Sequence, residues 1–234
     1  MKPSSKQISI IIPVLNEEGC IGGTLNYLRK NSSVETIKEI LVVDGGSTDK
    51  TVEIAEAFGA KVISSPRGRA KQMNLGAKNA KGEVLYFLHV DTLPPKKFDY
   101  NILEAIEDGH KTGCFQMKFD SDSRFLRFFA WFTRVNIKLC RGGDQSLFIT
   151  KALFEKSRGF DENYVVYEDN EFIGRLYGME PFKILPRHVM TSARRYEERG
   201  EVVLQYHFGM IHLKNYLGAG PEQLYDYYRR KIVS

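Results

Sequence analysis

Residues 8–14, Ile-Ser-Ile-Ile-Ile-Pro-Val, form a near-continuous aliphatic run that stops at Asn16-Glu17-Glu18. A run this short, without polar alternation, predicts a central strand buried on both faces of a sheet. From Glu17 to Asn31 the apolar positions Ile21, Leu25 and Leu28 fall on one helical stripe, with acidic residues at the start, where the helix dipole favours them. Glu39 to Val43 is a second aliphatic strand. Thr48 to Phe58 repeats Val52, Ala55 and Phe58 at helical spacing, with Ser47 or Thr48 as N-cap and Gly59 as the stop. Lys61 to Ser64 reads as a third strand and Ala70 to Ala80 as a helix with Ala70, Met73, Ala77 and Ala80 on one face. Val84 to Leu88 is then a fourth strand, ending in His89-Val90-Asp91.

Strands separated by helix-length segments predict an α/β fold, with a Rossmann-like, mostly parallel sheet flanked by helices and joined by right-handed crossovers. The second half is less regular. Cys114 to Asp120 and Ser146 to Thr150 read as strands, Arg124 to Leu139 as a helix rich in aromatics and arginine, and Asn170 to Tyr177 as a short helix. No internal repeat, low-complexity tract or linker divides the chain, so one unit is expected. Ligands of such sheets bind beyond the C-terminal strand ends. Three of those ends carry chemistry: Asn16-Glu17-Glu18, Asp44-Gly45-Gly46-Ser47-Thr48-Asp49 and His89-Val90-Asp91.

Composition narrows the class. The 234 residues are 42% hydrophobic and 12% aromatic, enough for one sizeable core, and the formal charge of +5 favours an anionic partner. The positive residues are scattered among Glu and Asp, unlike a nucleic-acid face, so no nucleic-acid partner is expected. No apolar run approaches the roughly 20 residues of a membrane span, and the one at Ile8 is too short for a signal peptide. Cys20, Cys114 and Cys140 are far apart and form no C-x-x-C pair, which suggests neither a disulfide framework nor a zinc site. A cytoplasmic location fits, and the formal acceptor Asn31-Ser32-Ser33 is then a chance match.

Four constellations could carry chemistry, each with a plainer reading beside it. Asp44, followed by Gly45 and Gly46, can bring backbone close to a nucleoside and accept hydrogen bonds from it, or can merely close its turn. Asp91, at the end of a hydrophobic strand, suits Mg²⁺ or Mn²⁺ held with substrate phosphates, or caps the turn at Thr92-Leu93-Pro94. Arg67, Arg69 and Lys71 stand at a helix start where a diphosphate would fit, or form a solvated basic turn. In Tyr167-Glu168-Asp169-Asn170-Glu171, Asp169 is either a helix cap or a general base.

Taken in order, Ile11-Ile-Pro-Val-Leu-Asn-Glu-Glu18, Val43-Asp-Gly-Gly-Ser-Thr-Asp49, Leu88-His-Val-Asp-Thr92, Gly143-Asp-Gln-Ser146 and Tyr167-Glu-Asp169 resemble the family 2 glycosyltransferases over about residues 8–200. The resemblance implies a GT-A fold, a nucleotide-sugar donor, most often UDP-linked, a divalent Mg²⁺ or Mn²⁺, and inverting transfer to a carbohydrate or lipid-linked acceptor. It places Pro13, Glu17 and Asp44 at the nucleoside; Gly45, Arg69, Lys71, His89 and Val90 are expected beside them at the nucleotide sugar. Asp91 falls on the metal position of D-x-D. Asp169, beside Glu168, falls on the base, and Asp144 and Gln145 near the acceptor and leaving diphosphate. It further implies a catalytic segment over 1–200, with a nucleotide-binding half (8–92) and an acceptor half (93–200), and a helical extension over 201–234.

The sequence departs from that family in three places. His89 replaces the first Asp of D-x-D, as a metal or phosphate neighbour or as a satisfied strand-end histidine. Ser192-Ala-Arg-Arg-Tyr196 stands where processive synthases carry Q-x-x-R-W, which favours single sugar transfer by a short, bacterial-type subgroup. The paired membrane helices of many lipid-sugar synthases are missing. Arg124 to Arg141 interleaves Phe, Trp, Leu and Ile with cations, and reads either as a helix lying on an anionic membrane surface or as one packed on the sheet with snorkelling arginines. Two other functions compete: a sugar nucleotidyltransferase, against which the glycine-free first loop speaks, and a non-catalytic nucleotide-sugar or glycan binder. Nothing in the pattern sets an oligomeric state.

Overall fold

The computed structural model describes residues 6–233. The outermost ends of the two expected segments, residues 1–5 and 234, lie outside them. The first half alternates as its periodicity predicts: β1 (Ile8–Val14), α1 (Glu18–Asn31), β2 (Ile37–Asp44), α2 (Thr51–Ala57), β3 (Lys61–Ser64), α3 (Arg69–Asn79) and β4 (Val84–Phe87). There follow β5 (Thr92–Leu93), α4 (Phe98–Glu107), β6 (Thr112–Phe119), α5 (Arg124–Trp131), β7 (Leu147–Thr150), α6 (Lys151–Lys156), α7 (Glu168–Tyr177), β8 (Lys183–Thr191), α8 (Arg194–Arg199), α9 (Glu201–Tyr216) and α10 (Pro221–Tyr228).

One eight-stranded sheet runs in the order β3-β2-β1-β4-β7-β6-β8-β5. Strands β3, β2, β1 and β4 pair in parallel, β7 inserts antiparallel between β4 and β6, β8 pairs in parallel with β6, and β5 closes the edge antiparallel. The residues of β1 are almost wholly buried because apolar layers cover both faces. One layer sets Ile10 and Ile12 against Leu25 of α1 and Ile102 of α4; the other sets Ile11 against Met73 of α3, with Phe172 of α7. At Gly76 a Cβ would sit 2.5 Å from Ile11 Cγ2, so the missing side chain lets α3 lie close on the sheet.

Two local expectations are corrected. Helix α2 begins at Thr51, not Thr48, because Asp49 turns its carboxylate onto the Thr51 N–H and hydroxyl, and neither Ser47 nor Thr48 caps it. The helix expected over Arg124 to Leu139 ends at Trp131, and short 3₁₀ turns follow at Phe132–Arg134 and Lys138–Cys140. The cause lies just beyond the segment: the buried Arg141 guanidinium captures the carbonyls of Thr133 and Val135, both at 2.7 Å, and holds that backbone away from helical pairing.

The last helices carry a small core of their own. Leu204, Ile211, Leu224 and Ile232 pack against Tyr164, Val166 and Tyr167, the segment that leads into α7.

Candidate active site

The C-terminal ends of β1 and β2 are stitched together by polar side chains. Asn16, at φ +55°, donates its N–H to Ser47 Oγ and accepts from the Thr48 N–H, both at 2.8 Å. The Glu17 N–H donates to Thr51 Oγ1 at 2.7 Å. From behind, buried Gln72 of α3 donates its amide to the carbonyls of Val14 and Val43, both at 2.8 Å. Gly45 admits that amide, since a Cβ there would meet Nε2 at 3.1 Å. Both loops are thereby fixed before any ligand arrives.

Asp44 is 6% exposed, and its carboxylate accepts the N–H groups of Gly46 at 3.0 Å and Ser47 at 3.1 Å, so it closes the glycine turn. Pro13 is half-buried opposite Val43. Glu17 flanks α1, 4.0 Å from Arg194, and burial raises its carboxyl pKa against the pull of that arginine. Val90 is buried, and its carbonyl accepts from Thr24 Oγ1.

His89 and Asp91 leave β4 into different surroundings. The imidazole Nδ1 lies 3.2 Å from Asp144 Oδ1, and Nε2 lies 3.6 Å from Asp169 Oδ2, an ionic contact longer than a hydrogen bond. Burial and Arg69 oppose charge on this ring, yet the two carboxylates outweigh them and raise its pKa to about 10. The two carboxylates thereby favour the charged form of the ring. Asp144 keeps about half of its side chain in solvent, and partial desolvation opposes its charge, but the hydrogen bond and charge of His89, with Arg69, outweigh that and lower its pKa.

The carboxylate of Asp91 makes no side-chain hydrogen bond or ion pair among the described residues, so the turn-capping reading finds no support. No group of three or more His, Cys, Asp or Glu residues suited to a metal occurs there either. A single free carboxylate at a strand end still fits Mg²⁺ or Mn²⁺, which commonly take one or two carboxylates and complete their shell with substrate phosphate and water.

Asp169 reaches His89 from the first turn of α7. The residue before the Glu-Asp pair, Tyr167, has φ +73°, a left-handed conformation unusual for an aromatic residue. Asp169 does not cap this helix, whose flanking residue Tyr167 makes no side-chain cap bond. Glu168 is buried and pairs with Arg69 at 3.0 Å; burial raises its pKa while Arg69 opposes the rise. Lys71, in the first turn of α3, is exposed and has no ion pair among the described residues.

Asp144 sits in a 3₁₀ turn, Gly143–Gln145, that brings it to His89. Gln145, expected near the acceptor, is buried, with its amide taken up by Arg141 at 2.6 Å and the Cys140 carbonyl at 2.7 Å. It supports the turn from beneath. The structure thus gathers His89, Asp144, Asp169, Glu168 and Arg69 into one charged cluster, with Asp91 within electrostatic reach of Glu17, while Gln145 and Val90 serve the frame.

Sequence reasoning gave no role to three residues that complete this site. Gln72 of α3 fixes the loops that follow β1 and β2. Gly143 lies against Asp169 and His89. Arg195 of the Ser-Ala-Arg-Arg-Tyr segment contributes to the low pKa of Asp144, and its guanidinium donates to the Tyr228 hydroxyl at 2.9 Å. Its place opposite the cluster was signalled only by its position after β8.

With this geometry in view, the relatives decide the class. A family model described as Glycosyl transferase family 2 matches residues 9–159. The chain belongs to that family. It is 25% identical over 198 residues to the probable glycosyltransferase YdaM of Bacillus subtilis, covering 74% of this chain and 47% of that protein. Among solved structures it is similar to S. aureus TarS in complex with UDP (TM-score 0.67, 22% identity, 80% of this chain and 60% of that one). It is also similar to the mannosyltransferase PcManGT of Pyrobaculum calidifontis with GDP-Man and Mn²⁺ (TM-score 0.72, 14% identity, 96% of this chain and 70% of that one). These likenesses identify the fold as GT-A. The chain spans about half the length of YdaM.

Proposed function

We propose that this glycosyl transferase family 2 chain moves one sugar from a nucleoside diphosphate sugar, with UDP the leading candidate, to an acceptor hydroxyl with inversion at the anomeric carbon. Residues 8–92 would hold the nucleotide and 93–200 would present the acceptor. The observation that carries the reading is the position of Asp169: a carboxylate at the first turn of α7, kept clear of capping duty and held 3.6 Å from the His89 cation that follows β4.

The residues divide the work as follows. The stitched loops at Pro13, Glu17, Asp44 and Gly45 form the nucleoside cradle. Arg69 and Lys71, at the N-terminal end of α3, and Arg194 face the negative charge that develops on the departing diphosphate. Asp91 would hold Mg²⁺ or Mn²⁺, which when bound neutralises diphosphate oxygens. Asp169 takes the proton from the attacking hydroxyl, and one base suffices because a direct inversion needs no second nucleophilic carboxylate. His89 supplies positive charge between Asp144 and Asp169, so that the two carboxylates stand together without repulsion.

The test is nucleoside diphosphate release from UDP- and GDP-sugars across a panel of carbohydrate and lipid-linked acceptors, with Asp169→Asn as the probe. The variant should bind donor as the parent does and lose turnover by roughly 10²–10⁴-fold. Full turnover in the variant would remove Asp169 from the mechanism.

A further inference from the structure

The broken segment after α5 builds a surface that the catalytic cluster does not use. Leu126 and Ala130 face inward, so the opposite stripe of α5 carries Arg124, Arg127, Phe128 and Trp131. Phe128 is 59% and Trp131 54% exposed, and Leu139, beyond the break, is 66% exposed. The rings are organised rather than scattered: Phe128 meets Phe132 edge-on at 5.2 Å, and Phe132 meets Trp131 edge-on at 5.4 Å. Water-exposed aromatics packed on one another form a contiguous apolar patch, which is unusual on a surface that meets only solvent.

The charges around this patch choose its occupant. From Ser123 to Gly143 the chain contains no Asp or Glu, while Arg124, Arg127, Arg134 and Lys138 are exposed and without an ion pair among the described residues. Aromatics and arginine also mark protein interfaces, so the sign of the charge decides: every charged residue between Ser123 and Gly143 is a cation. A bilayer interface accepts both at once, with rings at the headgroup level and cations on lipid phosphates. No helix among the described residues is long and apolar enough to cross a membrane, so the contact lies on the surface.

The patch is also wired to the site. Buried Arg141 donates to the Thr133 and Val135 carbonyls on the patch side and to Gln145 Oε1 at 2.6 Å on the other, beneath the turn that carries Asp144. We propose that the surface of Phe128, Trp131 and Phe132, with its neighbouring cations, docks on an anionic lipid bilayer and so presents the catalytic turn to an acceptor borne in that bilayer. The docking stands on its own; the bilayer-borne acceptor rests on the transferase reading.

Trp131 is the chain's one tryptophan, so its fluorescence reports on this surface directly. The experiment uses the full chain without donor or metal, and vesicles of phosphatidylcholine alone or mixed with phosphatidylglycerol, with and without brominated acyl chains. Docking gives a blue shift and bromine quenching with phosphatidylglycerol vesicles and neither with phosphatidylcholine alone. The exchanges Arg124→Glu with Arg127→Glu, and separately Phe128→Ala with Phe132→Ala, should each lower vesicle-bound protein by about tenfold or more, with circular dichroism confirming the fold. Unchanged emission, vesicle binding without quenching, undiminished binding in both folded variants, or an emission shift that follows protein concentration without lipid would each overturn the proposal. The last outcome would assign the patch to a second copy of the chain. Docking without any transfer activity would leave this surface standing and count against the transferase reading alone.

Discussion

Gly143 lies so close to Asp169 that a Cβ at position 143 would overlap the Oδ2 carboxylate oxygen and stand 2.7 Å from His89 Cε1. The glycine is therefore a spatial requirement of the proposed base and its cationic neighbour, independent of backbone freedom. Gly143→Ala should push Asp169 away from the acceptor and lower kcat on the order of 100-fold, as displacements near 1 Å commonly do. Donor affinity should hold, because the nucleotide loops lie elsewhere. Steady-state kinetics with isothermal titration of UDP separates the two, and an unchanged kcat would show that the turn yields without moving the base.

The His89 contacts predict a pH signature in stability. The folded-state pKa of about 10 lies above the 6.5 of a free imidazole. Sign follows from that order: the stabilisation is fully present below about pH 6.5 and is lost as pH rises through about 10. His89→Gln, which keeps a polar side chain and removes the charge, should melt well below the parent at pH 6, and the gap should narrow steadily toward pH 10. A gap that stays constant across this range would mean that the ring is neutral in the folded protein.

Much of this site was legible in the chain, and the part that was not has a physical cause. The aliphatic run at Ile8, the glycine turn after Asp44 and the Glu168-Asp169 pair announce themselves locally, because burial on both faces, tight turns and helix starts each demand particular residues over a few positions. Helix α5 misled because its end is set by Arg141, whose guanidinium reaches back to the Thr133 and Val135 carbonyls. No periodicity within Arg124 to Leu139 contains that information. Gln72 and Gly143 were opaque for the same reason: each acts on residues brought near by the sheet, Val14 and Val43 in one case, Asp169 in the other.

Asp91 offers the simplest ligand test. With no competing partner for its carboxylate among the described residues, Asp91→Ala should barely change the melting temperature of the free chain. It should abolish the part of the UDP-induced thermal shift that depends on Mn²⁺ or Mg²⁺, because a ligand stabilises only through the affinity it has for the folded state. Chelator added to the parent should reproduce the variant. A metal-dependent shift that survives Asp91→Ala would place the cation on other groups.

The C-terminal helices make a prediction about catalysis through Tyr167. This residue holds φ +73° immediately before Glu168 and Asp169, a conformation that the surroundings must enforce. Its hydroxyl lies 3.2 Å from His212 Nδ1 in α9, and the two rings meet edge-on at 5.0 Å. Burial lowers the His212 pKa, so the ring is neutral and its Nδ1 can accept the Tyr167 hydroxyl proton. Losing that contact should let Tyr167 relax and swing the first turn of α7, carrying Asp169 out of line. His212→Ala should therefore lower kcat by about tenfold with the donor KM unchanged. His212→Asn, whose amide can occupy the Nδ1 position, should recover most of the loss. If instead both variants fell equally in kcat and melting temperature, the contact would be a matter of packing alone.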